Sequence, residues 1–357
     1  MALVIACIFA ALLGFAAHRA SVCTVRAIAE LFSTRTGYML GSIAKSALWV
    51  LAITLPVLFF TPAAVATVGG WQLTGAAMLG GFIFGIGAAA NGACAYSTMA
   101  RLVDGEFGMV MTIAGFALGV MAFVLLVNWQ VAARPVPAPP FGGKLNPWMI
   151  FIGAAILCWV IYEIVHLWRT RPPATGVKHM ILAPEYRLSS AAMLIGLASS
   201  TIFILIGSPG YSATLQNVIE GVIGTRAWPS TARWVLLLAV LSGMALSTVQ
   251  RGSFKLDWRP RAAWLRNIAG GALMGLGTAM LPGGNDALIL YGIPSFSPHA
   301  LPSYAALALG TALGLLGMKY LLGVNPRVEI RDDIYRAEAQ PPGSILNGQP
   351  PDRARLG

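Results

Sequence analysis

Cys23 and Cys94 are the side chains of this sequence best placed to do chemistry. Cys23 follows Arg19-Ala20-Ser21, Cys94 follows Asn91-Gly92-Ala93, and each heads a short segment that soon reaches charge. A helix starting at either position aims unpaired N–H groups and about half a positive charge at whatever lies before it. That favours an anion. A thiol there is polarizable and a weak donor, suited to a soft, sulfur-bearing ion. The position should lower the thiol pKa from about 8.5. A thiolate would repel an anion, however, and a bound anion raises the pKa again. The sequence therefore predicts a neutral thiol donating S–H to a substrate, against the plainer role of a buried cysteine as a small hydrophobe. Cys7 and Cys158 lie in continuous apolar runs and read as core or lipid-facing. The four cysteines are far apart, without CxxC or Cys/His pairing, so neither a metal site nor a disulfide framework is indicated.

The elements that must position these thiols are broken helices. Residues 81–108, GFIFGIGAAANGACAYSTMARLVDGEFG, begin as an apolar helix, loosen at Asn91-Gly92-Ala93 and restart at Cys94. Residues 271–292, GALMGLGTAMLPGGNDALILYG, repeat the construction. Gly275-x-Gly277 matches Gly85-x-Gly87, and Gly283-Gly284-Asn285 falls where Gly92-Ala93-Cys94 stood, with one extra residue. A membrane segment stops and restarts only where its freed backbone groups face protein or water. Two broken helices in corresponding places of two halves point to a transport site. Gly92 and Gly284 permit close approach of backbone to an ion, unless they serve helix packing alone. The predicted substrate-binding set is Cys23, Cys94, Asn285, Gly92 and Gly284. No catalytic residue, metal or cofactor is assigned.

The composition sets the solvent. The chain is 57% hydrophobic and only 10% charged, where soluble domains carry about 25% charged residues, so a polytopic all-α membrane protein is predicted. The net charge of +11 comes from basic residues at the ends of apolar runs. That is topology signal, and no basic helix with interleaved aromatics argues for nucleic acid. Residues 1–17 lack a basic n-region and carry their charge, His18 and Arg19, after the apolar run, so they read as a first span and not a signal peptide.

With roughly 20 residues per crossing, nine spans are predicted, near 2–18, 39–60, 72–91, 108–128, 147–167, 188–207, 229–249, 262–281 and 300–322. Four short re-entrant segments interrupt them near 21–34, 94–103, 211–223 and 285–293. Residues 1–130 form one membrane repeat and 188–322 a second. Residues 131–187 hold a linker, a connecting span and a cytoplasmic loop, and 323–357 read as a disordered cytoplasmic tail. Five crossings separate the starts of the two repeats, so the halves should be inverted, making an hourglass with the re-entrant tips at its waist. Thirteen lysines and arginines, from Arg19 to Arg266, fall on one face. Only Arg134, Lys144, Arg226 and Arg233 fall on the other. The richer face is cytoplasmic, placing the N-terminus outside and the C-terminus inside a bacterial inner membrane.

Other charges are ambiguous. Lys45 inside the second span is a functional candidate or a snorkelling side chain. Glu163 and His166 read as solvated at the end of the fifth span. Arg101, Arg251 and Lys255 could draw anions to the inner mouth, although topology alone explains them. Asp286 beside Asn285 is awkward for an anion path; it caps its own short helix or faces away.

These residues carry a family resemblance. HRASVCTVRAIAELF and GIGAAANGACAYSTMARLVDGEFG resemble the two signature segments of the YeeE/YedE sulfur-transport family, and QRGSFKLDW with GALMGLGTAMLPGGND resembles its second-half signature. The resemblance covers spans one to four and seven to nine. It implies nine spans with four re-entrant helices, an hourglass, and uptake of thiosulfate, a small inorganic sulfur anion, past cysteines that pass the ion by hydrogen bonds. Cys23 and Cys94 stand at two of those positions. Asn285 stands where the family's transporters have a cysteine. An amide can still donate N–H bonds to an oxyanion, but a sulfur-to-sulfur relay through all three sites is lost. The reading is of a transporter, not an enzyme. The alternatives are a membrane sulfur relay, in which Cys94 forms a persulfide for a cytoplasmic sulfur-carrier protein, and an accessory subunit that does not transport.

Overall fold

The computed structural model describes residues 1–60, 70–126, 135–136, 147–170, 183–208, 210–225, 228–258, 263–281, 283–324 and 328–336. Apolar runs without water to bond must pair their backbone internally, and helices do so. In chain order these are α1 (Ala2–Ala20), short α2 (Thr24–Ser33), α3 (Tyr38–Phe60), α4 (Gly75–Asn91), short α5 (Ala95–Val103) and α6 (Gly108–Leu126). Then come α7 (Pro147–Arg169), α8 (Leu188–Ile206), short α9 (Tyr211–Ile223), α10 (Thr231–Arg251) and α11 (Ala263–Met280). The four-residue α12 (Gly284–Ala287) runs into a π-helical turn, Leu288–Gly292, before α13 (Ala300–Leu322). Among the described residues, eight helical stretches are long and apolar enough to cross a membrane. The helix α11 is not among them, because Arg266, Asn267 and its glycines lower its hydropathy, yet it packs between α4 and α6.

The packing repeats between the halves. Helix α1 packs on α8 and α10, and α8 packs on α1 and α3; α4 packs on α11 and α13, and α11 packs on α4 and α6. Exchanging α1 with α8, α3 with α10, α4 with α11 and α6 with α13 leaves this list unchanged, as a two-fold axis between repeats requires.

Glycine makes the contacts close. A Cβ added at Gly81 or Gly85 of α4 would collide with the carbonyl oxygens of Ser303 and Leu307 on α13. The equivalent positions of α11, Gly271 and Gly275, meet the carbonyls of Thr112 and Phe116 on α6. Lipid gives no hydrophobic drive for helix association, so small residues that let backbones touch supply it.

Helix α7 stands apart, touching α3. Its Trp159 meets Trp49 edge-on at 5.5 Å, and Lys45 Nζ donates to Glu163 Oε1 at 2.6 Å and to Ser189 Oγ at 3.1 Å. Glu163 is therefore not solvated; it is 1% exposed. Lys45 neither snorkels nor joins the central site: it ties the connecting helix to α3 and α8.

Two short antiparallel ribbons complete the fold. One pairs β1 (Gly70–Trp71) with β2 (Pro135–Val136), the other β3 (Ile330–Arg331) with β4 (Ile334–Tyr335). The second ribbon lies within the polar tail that the composition predicts to be disordered. Val328, Ile330 and Tyr335 are buried, Ser33 Oγ donates to the Val328 carbonyl at 2.8 Å, and the Leu188 N–H donates to the Asp333 carbonyl at 2.7 Å. Residues 337–357 lie outside the described residues, as do Arg134, Lys144, Arg171, Lys178, Arg226, Arg259 and Arg261 among the topology charges.

Candidate functional site

Both thiols are set by the same local turn. Helix α1 ends at Ser21 in the left-handed region (φ 52), with Ser21 N–H on the His18 carbonyl and Val22 N–H on the Ala17 carbonyl. Helix α4 ends at Gly92 (φ 74), with Gly92 N–H on the Ala89 carbonyl and Ala93 N–H on the Ala88 carbonyl. This paired closure satisfies the last carbonyls and reverses the chain. Two residues later the next helix begins, so Cys23 and Cys94 occupy matching N-cap positions of α2 and α5. The glycine was legible as a break; Ser21, a rare non-glycine in this conformation, was not.

The turn carrying Cys94 is braced from behind. Asn91 Nδ2 donates to the Ala93 carbonyl at 3.1 Å and to Thr98 Oγ1 at 3.0 Å, and its Oδ1 accepts from Thr112 Oγ1 at 2.7 Å. A side chain that reads as loop composition thus fixes three elements.

The four tips meet. Cys23, Cys94 and Asn285 line one cavity of about 50 Å³, with Thr24, Tyr96, Asp286 and apolar residues of α1, α3 and α8. A single water needs roughly 10–15 Å³ on this measure, so the space suits a small polyatomic ion or a few waters. Cys23 and Cys94 are 1% and 2% exposed, and their side chains interact with each other. Asn285 Nδ2 lies 3.4 Å from Thr24 Oγ1, and its Oδ1 is buried with no hydrogen-bond partner among the described residues. A half-turn about χ2 exchanges the two ends of the amide, so Asn285 can present N–H or C=O to the space. Backbone N–H groups from the first turns of α2 and α5 face the two sulfurs, that of Arg26 at Cys23 and those of Thr24 and Ser97 at Cys94.

Gly92 and Gly284 do not line the cavity. Gly92 is the helix-ending turn just described, and Gly284 (φ 73) packs against Ser212, with Gly283 (φ 90) before it. They place Cys94 and Asn285.

Asp286 neither caps its own helix nor turns away. Its Oδ2 accepts the Tyr211 N–H at 2.9 Å, at the start of α9, while Tyr211 meets Tyr96 of α5 edge-on with centroids 4.5 Å apart. The positive end of α9 is thereby matched to a carboxylate. No group of three or more His, Cys, Asp or Glu side chains that could hold a metal occurs among the described residues.

Sequence comparison adds the following. A profile of the family described as "Sulphur transport" matches residues 19–313. The chain is also similar to the thiosulfate transporter TsuA of Escherichia coli (strain K12), 23% identical over 295 residues that span 76% of this chain and 82% of that one.

Proposed function

The chain belongs to the sulphur-transport family, and we propose that it takes up a small sulfur-containing anion, of the thiosulfate class, across the bacterial inner membrane into the cytoplasm. One observation carries this reading: Cys23, Cys94 and Asn285, separated by up to 262 positions in sequence, share the wall of one small buried cavity. Two polarizable thiols and an amide, backed by two helix N-termini, offer a dianion a soft, partly positive wall without a fixed cation. Such a site binds enough to desolvate the ion and little enough to release it, as conduction requires. The sulfur atoms favour a soft terminal sulfur over water, and the amide and backbone N–H groups favour oxygens. With asparagine at the third position, the ion passes by hydrogen bonds and no sulfur is transferred to protein.

Reconstitution of the purified protein in liposomes and uptake of radiolabelled thiosulfate tests the reading. Saturable uptake above that of empty liposomes, with unchanged protein mass afterwards, supports it. A lasting gain of one sulfur atom on Cys94 without uptake would replace it with the relay.

A further inference from the structure

On the side of the thiols where α1, α2, α5 and α10 end, a second cavity of about 40 Å³ lies behind a shared wall of Ala17, Val22 and Tyr96. Its charged lining is His18, Arg26, Arg101, Asp104 and Arg251. Three guanidinium groups therefore face a single carboxylate, and that carboxylate is already engaged: Asp104 lies 3.2 Å from His18 Nε2 and accepts from Thr248 and Ser253 hydroxyls at 2.9 and 2.7 Å. Arg101 is the informative member. It is 8% exposed. Its Nε and Nη2 both donate to Glu106 Oε2, at 2.9 and 2.6 Å, which fixes the plane of the guanidinium. Its Nη1 is buried without a hydrogen-bond partner among the described residues. A buried, oriented guanidinium edge without an acceptor is costly and is the donor geometry that oxyanions fill. Arg26 has other work, donating to the Ser21 carbonyl at 3.0 Å and lying 4.9 Å over the ring of Tyr335.

We propose that this basic pocket is a second anion site, in which Arg101 Nη1 holds a small divalent oxyanion after it leaves the thiols and before release. The proposal rests on the transport reading for its path, but its chemistry differs. The inner pocket selects charge and oxygen, and the thiol cavity selects sulfur as well.

The test is equilibrium binding of radiolabelled thiosulfate to detergent-purified protein, read as sites per chain. Two sites are expected in the parent protein, one in Arg101→Gln, and one in the Cys23→Ala/Cys94→Ala double variant, the last displaced by sulfate. Glu106→Gln, which removes the charge of the ion pair but keeps an amide oxygen to accept from and orient Arg101, keeps two sites. A single site abolished by the double cysteine variant and indifferent to Arg101→Gln overturns the second site and leaves the transport reading intact. Equal loss in Glu106→Gln and Arg101→Gln reduces Arg101 to a structural ion pair and overturns the proposal. Absence of any binding to the parent protein overturns both.

Discussion

Asp286 Oδ2 accepts the backbone N–H of Tyr211 at 2.9 Å, so a carboxylate on one broken helix closes the end of another 75 positions earlier in the chain. The bond accounts for an acidic residue in the wall of the cavity that Cys23 and Cys94 line. One of its carboxylate oxygens is held by a helix terminus.

Asp286→Ala leaves that N–H buried and unpaired. A loss of about 1–3 kcal/mol is expected, with Asp286→Asn retaining more stability because its amide oxygen can still accept. Thermal unfolding in detergent, compared across the three proteins, checks the order parent, Asn, Ala.

The brace at Asn91 predicts a different split. Asn91→Ala strands the hydroxyl of Thr112 and frees the turn at Ala93, so about 1–3 kcal/mol of stability should go and uptake should fall with it. Asn91→Asp keeps the acceptor for Thr112 but loses the donor to Ala93 and Thr98, and should lie between. Uptake per folded molecule and unfolding temperature measured together distinguish misplacement of Cys94 from simple unfolding.

Helix contacts give a paired prediction at glycine. A Cβ at Gly275 would collide with the Phe116 backbone, whereas nothing lies within 4 Å of one at Gly153 on α7. Gly275→Ala should cost roughly 1–3 kcal/mol through overpacking. Gly153→Ala should be neutral or mildly stabilising through helix propensity. Unfolding temperatures of the two single variants decide the matter.

The Lys45–Glu163 pair is buried on one side only, with Glu163 1% and Lys45 26% exposed at the side chain. Removing one partner strands the other, and for Lys45→Met a cost approaching 3 kcal/mol is expected. The double change Lys45→Met/Glu163→Leu should recover much of it, with uptake unaffected throughout because the pair lies away from the thiol cavity. A double-mutant cycle on stability reads the coupling directly.

Acid sensitivity follows from Asp104, in the turn after α5. Burial opposes its ionisation, but the hydrogen bond and charge of His18, with Ser253 and Thr248, hold its carboxyl below the usual range. A depressed folded pKa means the stabilisation is fully present above about pH 4, the ordinary aspartate value, and is lost as pH falls through the lower folded value. Asp104→Asn should therefore lower the unfolding temperature at pH 7 and flatten its decline between neutral and acid pH.

Much of this organisation was legible in the sequence because it is written locally. Small residues and a polar break before each thiol announce a helix that stops and restarts, and the match of Gly85-x-Gly87 with Gly275-x-Gly277 announces the same construction in both halves. What stayed hidden was set by partners far along the chain. Glu163 looked solvated because its partner Lys45 lies 118 positions away. Glu30 gave no sign that its carboxylate accepts the N–H groups of Tyr38 and Met39 at 2.9 Å each, capping α3. The ribbon at 328–336 escaped because its polar composition reads as tail, while its few apolar side chains dock under α2 and α8. Asp286 was ambiguous for the same reason: only the fold shows which helix it caps.

The central claim is that the ion passes between the two tip thiols, and uptake of labelled thiosulfate by liposomes carrying Cys94→Ala tests it most directly. With Cys158→Ala as the folded control, the account predicts a loss of roughly tenfold or more, equivalent to about 1.4 kcal/mol, in Cys94→Ala and none in the control. Uptake by Cys94→Ala equal to that of the parent protein would contradict it.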